Sequence, residues 1–315
     1  PYLLSTGKVE KILLYTIKDR SINDPYEDNF GLLLTDYSPK PAWNWYASLG
    51  SGVPATATQV AAGTTFFAYE ENVRGGYYVY SGDVLGKYPG DEIIVGINSG
   101  FGPQVRVFDA SGTVRSQFFA YDSTLRNGVT ISACDVNGDG YDEIVTAQGR
   151  GGWPLVKVFD GYGNVINDGF PVLDGKYTGG VNLSCGDTDA DGTQEIVVAA
   201  MQGGGPHVLV YNQDGRILTN FMAYDPGFRG GINVATIDMD GDGRDEIVTG
   251  PQHGAPHVQI FQIRPNELKR LSPGFYAFHP SYRGGVSVAG VDTDGDGQKE
   301  LLVGVGSDAQ PQVKR

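Results

Sequence analysis

The sequence predicts an all-β protein: a propeller of four-stranded blades, with five repeats visible and the last incomplete, preceded by a short β/α segment. Three observations predict it. The segment Asp135-Val-Asn-Gly-Asp-Gly-Tyr-Asp-Glu-Ile-Val returns from Asp187, Asp238 and Asp292 at spacings of 52, 51 and 54 residues, and a decayed copy starts at Asp83. Between recurrences lie short runs of period-two or β-branched character, separated by Gly-rich turns. No helix-period stretch of useful length interrupts residues 64–315. Four strands in each unit of about 50 residues is the pattern of blades around an axis, which hides most sheet edges.

Taken in chain order, residues 1–50 differ in kind from the rest. Lys11–Ile17 is a continuous apolar run, as expected of a strand buried on both faces. A polar loop follows, and Pro41–Leu49 reads as a short helix with proline in its first turn. Residues 51–63, rich in Gly, Ala, Thr and Ser, read as a linker, and the repeat domain runs from 64 to 315. In the unit starting at Gly128 the expected strands are Val129–Cys134, Glu143–Ala147, Leu155–Asp160 and one ending near Leu173. A Gly-Gly pair or its equivalent precedes each acidic loop, and a proline follows it, at Pro103, Pro154, Pro206, Pro256 and Pro311. Aromatic strands close the units, as in Phe118-Phe-Ala-Tyr121 and Phe221-Met-Ala-Tyr224. Four complete blades are expected from about Gly76 to His279, then three strands of a fifth. Thr64–Tyr69 resembles a fourth strand and is a candidate to complete that blade and close a five-membered ring.

Composition narrows the function classes. Lys and Arg number 23 against 37 Asp and Glu, a formal charge of −14, which argues against a nucleic-acid partner. Apolar runs stay well short of the ~20 residues of a membrane span. Cys134 and Cys185 are the only cysteines; the repeat alignment puts them on opposite faces of neighbouring strands, so they are expected to be buried free thiols. The chain opens at Pro1, which reads as the interior of a longer protein.

The acidic loops carry the chemistry. Asp-x-Asp/Asn-x-Asp-Gly-x-x-Glu sets side-chain oxygens at positions 1, 3, 5 and 9 and leaves the carbonyl of position 7 to turn inward. The candidate ligands are Asp135, Asn137, Asp139, Tyr141 and Glu143; Asp187, Asp189, Asp191, Thr193 and Glu195; Asp238, Asp240, Asp242, Arg244 and Glu246; and Asp292, Asp294, Asp296, Gln298 and Glu300. Oxygen-only donors in that number suit Ca²⁺, about four ions in a structural role. Zinc would need His or Cys. Position 12, where an EF-hand places a bidentate Glu, is Thr146, Val198, Thr249 or Val303, each inside a strand. Without the 15 loop carboxylates, 22 acids would face 23 basic residues, so the acidity of the chain is concentrated here. In the Asp83 copy Leu85 and Lys87 replace acids, so that loop is expected to hold no ion.

This loop between two strands, with the Gly/Pro turn after it, resembles the FG-GAP/VCBS repeat, the family of the integrin α-subunit propeller. The resemblance covers about residues 64–315. It implies Ca²⁺ in the loop joining the first two strands of a blade, usually seven blades, and an exported protein. Residues 1–50 resemble the last β/α unit of a (β/α)₈ glycoside hydrolase of the cellulase-like superfamily, through Tyr15-Thr-Ile17, Asp28-Asn-Phe-Gly-Leu32, Asp36 and Pro39-Lys-Pro-Ala42. In that family the catalytic carboxylates come from earlier strands, and this chain has neither. Tyr15 reads equally as a sugar-subsite wall or a core residue. Two functions follow from the resemblances: a calcium-binding propeller module of a secreted carbohydrate-active protein, binding polysaccharide or a cell-surface protein beside a truncated glycoside hydrolase domain, or an integrin-like extracellular adhesion and interaction protein with no enzymatic role.

Other signals read as structural. Arg74-Gly-Gly, Arg229-Gly-Gly and Arg283-Gly-Gly recur once per unit before a strand, which suits a turn better than an RNA-binding segment. Gly203-Gly-Gly205 precedes a strand, so it is no phosphate loop. His207 and His257 share a repeat position, whereas His253 and His279 do not.

Overall fold

The computed structural model describes residues 65–315 apart from 89, 265, 266, 272, 295 and 308–311. The expected β/α segment (1–50), the linker (51–63) and Pro311 lie outside the described residues. Each acidic loop joins the first two strands of an antiparallel sheet, and five such sheets form a five-bladed propeller. Blade one holds β1 (Tyr77–Gly82), β2 (Glu92–Ile97), β3 (Gln104–Phe108) and β4 (Val114–Phe119). Blade two holds β5 (Val129–Cys134), β6 (Glu143–Gln148), β7 (Leu155–Phe159) and β8 (Val165–Pro171). Blade three holds β9 (Val181–Gly186), β10 (Glu195–Ala200), β11 (His207–Tyr211) and β12 (Ile217–Met222). In blade four, β13 (Ile232–Ile237), β14 (Glu246–Pro251) and the longer β15 (His257–Arg264) are followed by β16 (Glu267–Arg270) and β17 (Phe275–Tyr276), both paired with β15. Blade five contains β18 (Val286–Val291), β19 (Glu300–Val305) and β20 (Val313–Lys314).

The second strands of blades two, three and four are apolar on both faces because both faces meet another blade. Successive side chains of a strand point to opposite sides. Ile144 therefore packs into the layer shared with blade one, and Val145 into the layer shared with blade three. Ile196 and Val197, then Ile247 and Val248, divide the same way between successive layers. All six are fully buried, each contributing on the order of 1.5–3 kcal/mol. The core is thus a series of inter-blade layers. The first strands face the axis, where Tyr78, Thr130, Asn182, Asn233 and Ser287, one from each blade, line a narrow cavity. The Tyr80 hydroxyl crosses it to donate to Leu183 O at 3.1 Å.

The aromatic strands end in a lock on the next blade. Tyr121, buried, donates its hydroxyl to Leu155 O at 2.8 Å and lies 3.1 Å from Thr146 O; Tyr224 reaches His257 O and Thr249 O in the same way. Tyr69 stands in the same relation to blade one, with Val95 O and Gln104 O both at 2.8 Å. The end of the expected extra fourth strand therefore occupies the right place on blade one. Residues 65–69 form no strand, however, and no described strand pairs with the second edge of β20.

The cysteines correct the sequence reading. Cys134 and Cys185 form a disulfide, with Cα atoms 5.6 Å apart. They do project from opposite faces of their sheets, and that is what joins them, because the front of one blade stacks on the back of the next. The pair belongs to a repeated seam. The last residue of each first strand meets the penultimate residue of the next first strand: a Cβ on Gly82 would lie 2.8 Å from Ala133 Cβ, one on Gly186 2.7 Å from Thr236 Cβ, and one on Gly290 2.5 Å from Ile237 Cγ1.

Candidate metal centres

Backbone geometry shapes each acidic loop before any ion is considered. The first aspartate accepts from the N–H of position 6, with Gly140, Gly192, Gly243 and Gly297 donating at 2.9–3.0 Å. Those four glycines have φ of 84–92°, a conformation that other residues rarely adopt. The glutamate at position 9 turns one oxygen back to the N–H of position 2: Val136 to Glu143 at 3.1 Å, Thr188 to Glu195 at 2.7 Å, Met239 to Glu246 at 3.0 Å and Thr293 to Glu300 at 2.8 Å. In blade one Glu92 holds Val84 and Leu85 in the same way, both at 3.1 Å, although acids are missing at positions 3 and 5. The first and last acids therefore fold the loop in their own right.

Three loops also gather carboxylate oxygens: Asp187, Asp189 and Glu195; Asp238, Asp240 and Glu246; and Asp292, Asp294 and Glu300. In each group one oxygen per residue lies within 4.8 Å of the others. Oxygens on a common Ca²⁺ at 2.3–2.6 Å are separated by up to about 5 Å, so the groups fit such an ion. Asp189 Oδ1 strengthens the fit, being buried with no hydrogen-bond partner. The fourth loop differs. Asn137 donates its amide to Glu143 at 2.7 Å, and among the described residues Asp135, Asp139 and Glu143 form no such group. The position-5 acids Asp139, Asp191, Asp242 and Asp296 stand outside the groups and are exposed, each accepting from its position-7 N–H at 2.8–3.0 Å.

Position 7 reaches toward the preceding blade. The Tyr141 ring lies against Gly86, Thr193 lies by Gly138, and the Arg244 guanidinium donates to Asp189 O. A second guanidinium, Arg315, bridges Asp294 and Glu300. Burial first, then neighbouring carboxylates, push Glu143 and Glu195 up to about 7 and Glu246 up to about 6. Glu300 is lowered instead, chiefly by the Thr293 hydroxyl that donates to it.

Sequence reasoning missed three contributors. Gln262, fully buried, donates to Glu246 at 2.9 Å and to Asp242 at 3.0 Å. Asp142 and Asp245, at position 8, face the blade before their own, and burial pushes Asp142 up to about 7. Only the recurrence of Asp at that position in two loops hinted at them. The arginines of the Arg-Gly-Gly turns are structural: Arg229 donates to Pro226 O at 2.6 Å and Phe228 O at 2.7 Å, and Arg126 and Arg283 cap their turns alike. His207 contacts Asn220, and the His257 ring lies tilted against Tyr276; among the described residues neither joins a metal-binding group.

The cleft of about 390 Å³ between blades one and two is floored by buried Val84 and Leu85 and walled by Tyr141 and Tyr162, both about half exposed. It opens where the decayed loop of blade one meets the intact loop of blade two. Asp139, Asp160 and Lys87 stand at its edge.

Among known proteins, no curated sequence matches this chain. Similar solved structures include the Vibrio cholerae biofilm matrix protein Bap1, at 19% identity over 60% of this chain and 28% of that one (TM-score 0.38). A Bacillus licheniformis rhamnogalacturonan lyase is similar at 19% identity over 76% of this chain and 58% of that one (TM-score 0.41). So is an Agrocybe aegerita lectin that recognises non-reducing terminal N-acetylglucosamine, at 19% identity over 77% and 67% (TM-score 0.45). The chain thus spans between about a quarter and two thirds of these proteins. An FG-GAP repeat matches residues 127–165 and an FG-GAP-like repeat residues 187–249. Within this five-bladed propeller, residues 127–165 and 187–249 are thus similar to FG-GAP repeats.

Proposed function

We propose that the chain is a calcium-stabilised propeller module of an exported protein, with Ca²⁺ held in the loops of blades three, four and five. Asp189 Oδ1 carries the reading. A buried carboxylate oxygen with no donor, beside two further carboxylates, is a costly arrangement that a hard cation relieves. Asp187, Asp189 and Glu195 would hold the ion in blade three, and their counterparts would do so in blades four and five. The bound ion supplies charge neutralisation and joins the first two strands of a blade. A disulfide suits an oxidising compartment. Calorimetric titration with Ca²⁺ should give three sites per chain, and Asp240→Ala should leave two. Absence of binding at millimolar Ca²⁺ would overturn the reading.

The role of the module is binding, and the cleft between blades one and two supports a glycan as the ligand. Half-exposed tyrosine rings above an apolar floor offer faces for sugar C–H groups, and the volume lies in the range of small-ligand sites. The resemblance of residues 1–50 to a glycoside hydrolase unit supports the same assignment. A polysaccharide array probed with labelled protein in Ca²⁺ should give signal that Tyr141→Ala with Tyr162→Ala abolishes. A signal that survives in the double variant would move the ligand elsewhere, and binding to a cell-surface protein alone would favour the adhesion reading.

A further inference from the structure

We propose that Asp245, in the loop of blade four, is a positioning residue for the cation site of blade three. The inference rests on the calcium reading above. Asp245 and Asp187 are joined twice across the seam: the Asp245 N–H donates to Asp187 O at 2.7 Å, and the Asp187 N–H donates to Asp245 Oδ2 at 3.0 Å. This two-point clamp fixes the peptide groups on either side of the first ligand residue. Arg244, next in sequence, holds the carbonyl of Asp189, so blade four grips the backbone of two of the three residues gathered in blade three.

The seam is built to admit the carboxylate. A Cβ on Gly186 would lie 2.4 Å from Asp245 Oδ2, and one on Gly82 would lie 2.4 Å from Asp142 Oδ2. Asp142 likewise donates its N–H to Asp83 O at 2.8 Å. Where the glycine is replaced by Cys134 or Ile237, position 8 of the following blade is Gln194 or Lys299. In these four seams glycine on one blade and aspartate on the next therefore occur together, as expected if the small residue is there to let the carboxylate reach the backbone beyond it. Gln194 keeps the backbone half of the contact, to Asp135 O at 2.9 Å, so the carboxylate is the added element at the blade-three site.

The experiment reads the blade-three site alone. In the full chain, Asn137→Ala, Asp240→Ala and Asp294→Ala disable the other loops, and Ca²⁺ affinity is measured by calorimetry. Adding Asp245→Ala should weaken binding about 10- to 100-fold, the usual effect of losing an outer partner of a metal ligand. Gly186→Ala should do the same by displacing the carboxylate, while Asp245→Asn, which keeps an acceptor oxygen, should stay within about 3-fold. Should Asp245→Ala fail to fold, Asp245→Ser is read in its place. Unchanged affinity in both the truncated and the Gly186→Ala proteins would overturn the positioning role while leaving the calcium reading intact. Absence of Ca²⁺ binding in the unmodified protein would overturn both.

Discussion

Cys134 and Cys185 form a disulfide that ties β5 to β9 one residue before Asp135 and two before Asp187, so two neighbouring acidic loops leave from one covalent anchor. The bridge closes a span of 51 residues, which corresponds to about 4 kcal/mol in the chain-entropy account. The double variant Cys134→Ser, Cys185→Ser is expected to lose stability of that order in denaturant unfolding. Unfolding curves unchanged by the double substitution would show that the bridge contributes nothing.

Removing the metal should loosen the same region. Chelation is expected to lower the melting temperature, because the carboxylates gathered in blades three and four then repel one another. The shift should shrink in Asp189→Ala, which deletes the unpartnered oxygen, and scanning calorimetry with and without chelator measures both.

The pH response of the metal-free protein should run opposite to that of the loaded one. Glu195 and Glu246 are raised from 4.5 to about 7 and about 6, so above pH 7 they are charged and bear the full burial penalty. As pH falls through 7 toward 4.5 the folded state takes up protons that the unfolded chain does not, and stability rises. With chelator, the melting temperature should therefore increase between about pH 8 and about pH 5.5; with saturating Ca²⁺ it should fall, since protons then compete with the ion. Melting curves at both ends of that range check the sign.

Tyr224 donates its hydroxyl into blade four from the end of blade three. Tyr224→Phe keeps the ring and leaves His257 O without that donor, at a cost of about 1–3 kcal/mol. Chemical denaturation of Tyr224→Phe and Tyr121→Phe should give losses of similar size, because the two locks are equivalent.

Much of this was legible in the chain. Val129–Cys134 was bounded by a glycine turn and an acidic loop, and β5 has those limits; the β6 and β7 readings differ from the structure by one residue. Local spacing sufficed because, β17 apart, each strand pairs with its sequence neighbour. The seam between blades was not legible. It depends on how sheets stack about 50 residues apart, so the Cys134–Cys185 pairing ran against the local reading, and the approach of Asp245 to Gly186 left only a paired Gly/Asp pattern. Convergence within the loops was half legible. Residue type marked four, but Asn137 turns its amide to Glu143, a contact between a donor and an acceptor that an aspartate there could not make.

At positions 7 and 8 of the acidic loops of blades two, three and four, each loop leans on the blade that precedes it. The rim is consequently a one-way row of dominoes. Damage to a loop should be felt upstream, by the blade of lower number, so trimming the chain from its C-terminal end should unsettle the remaining rim more than an equal cut at blade one.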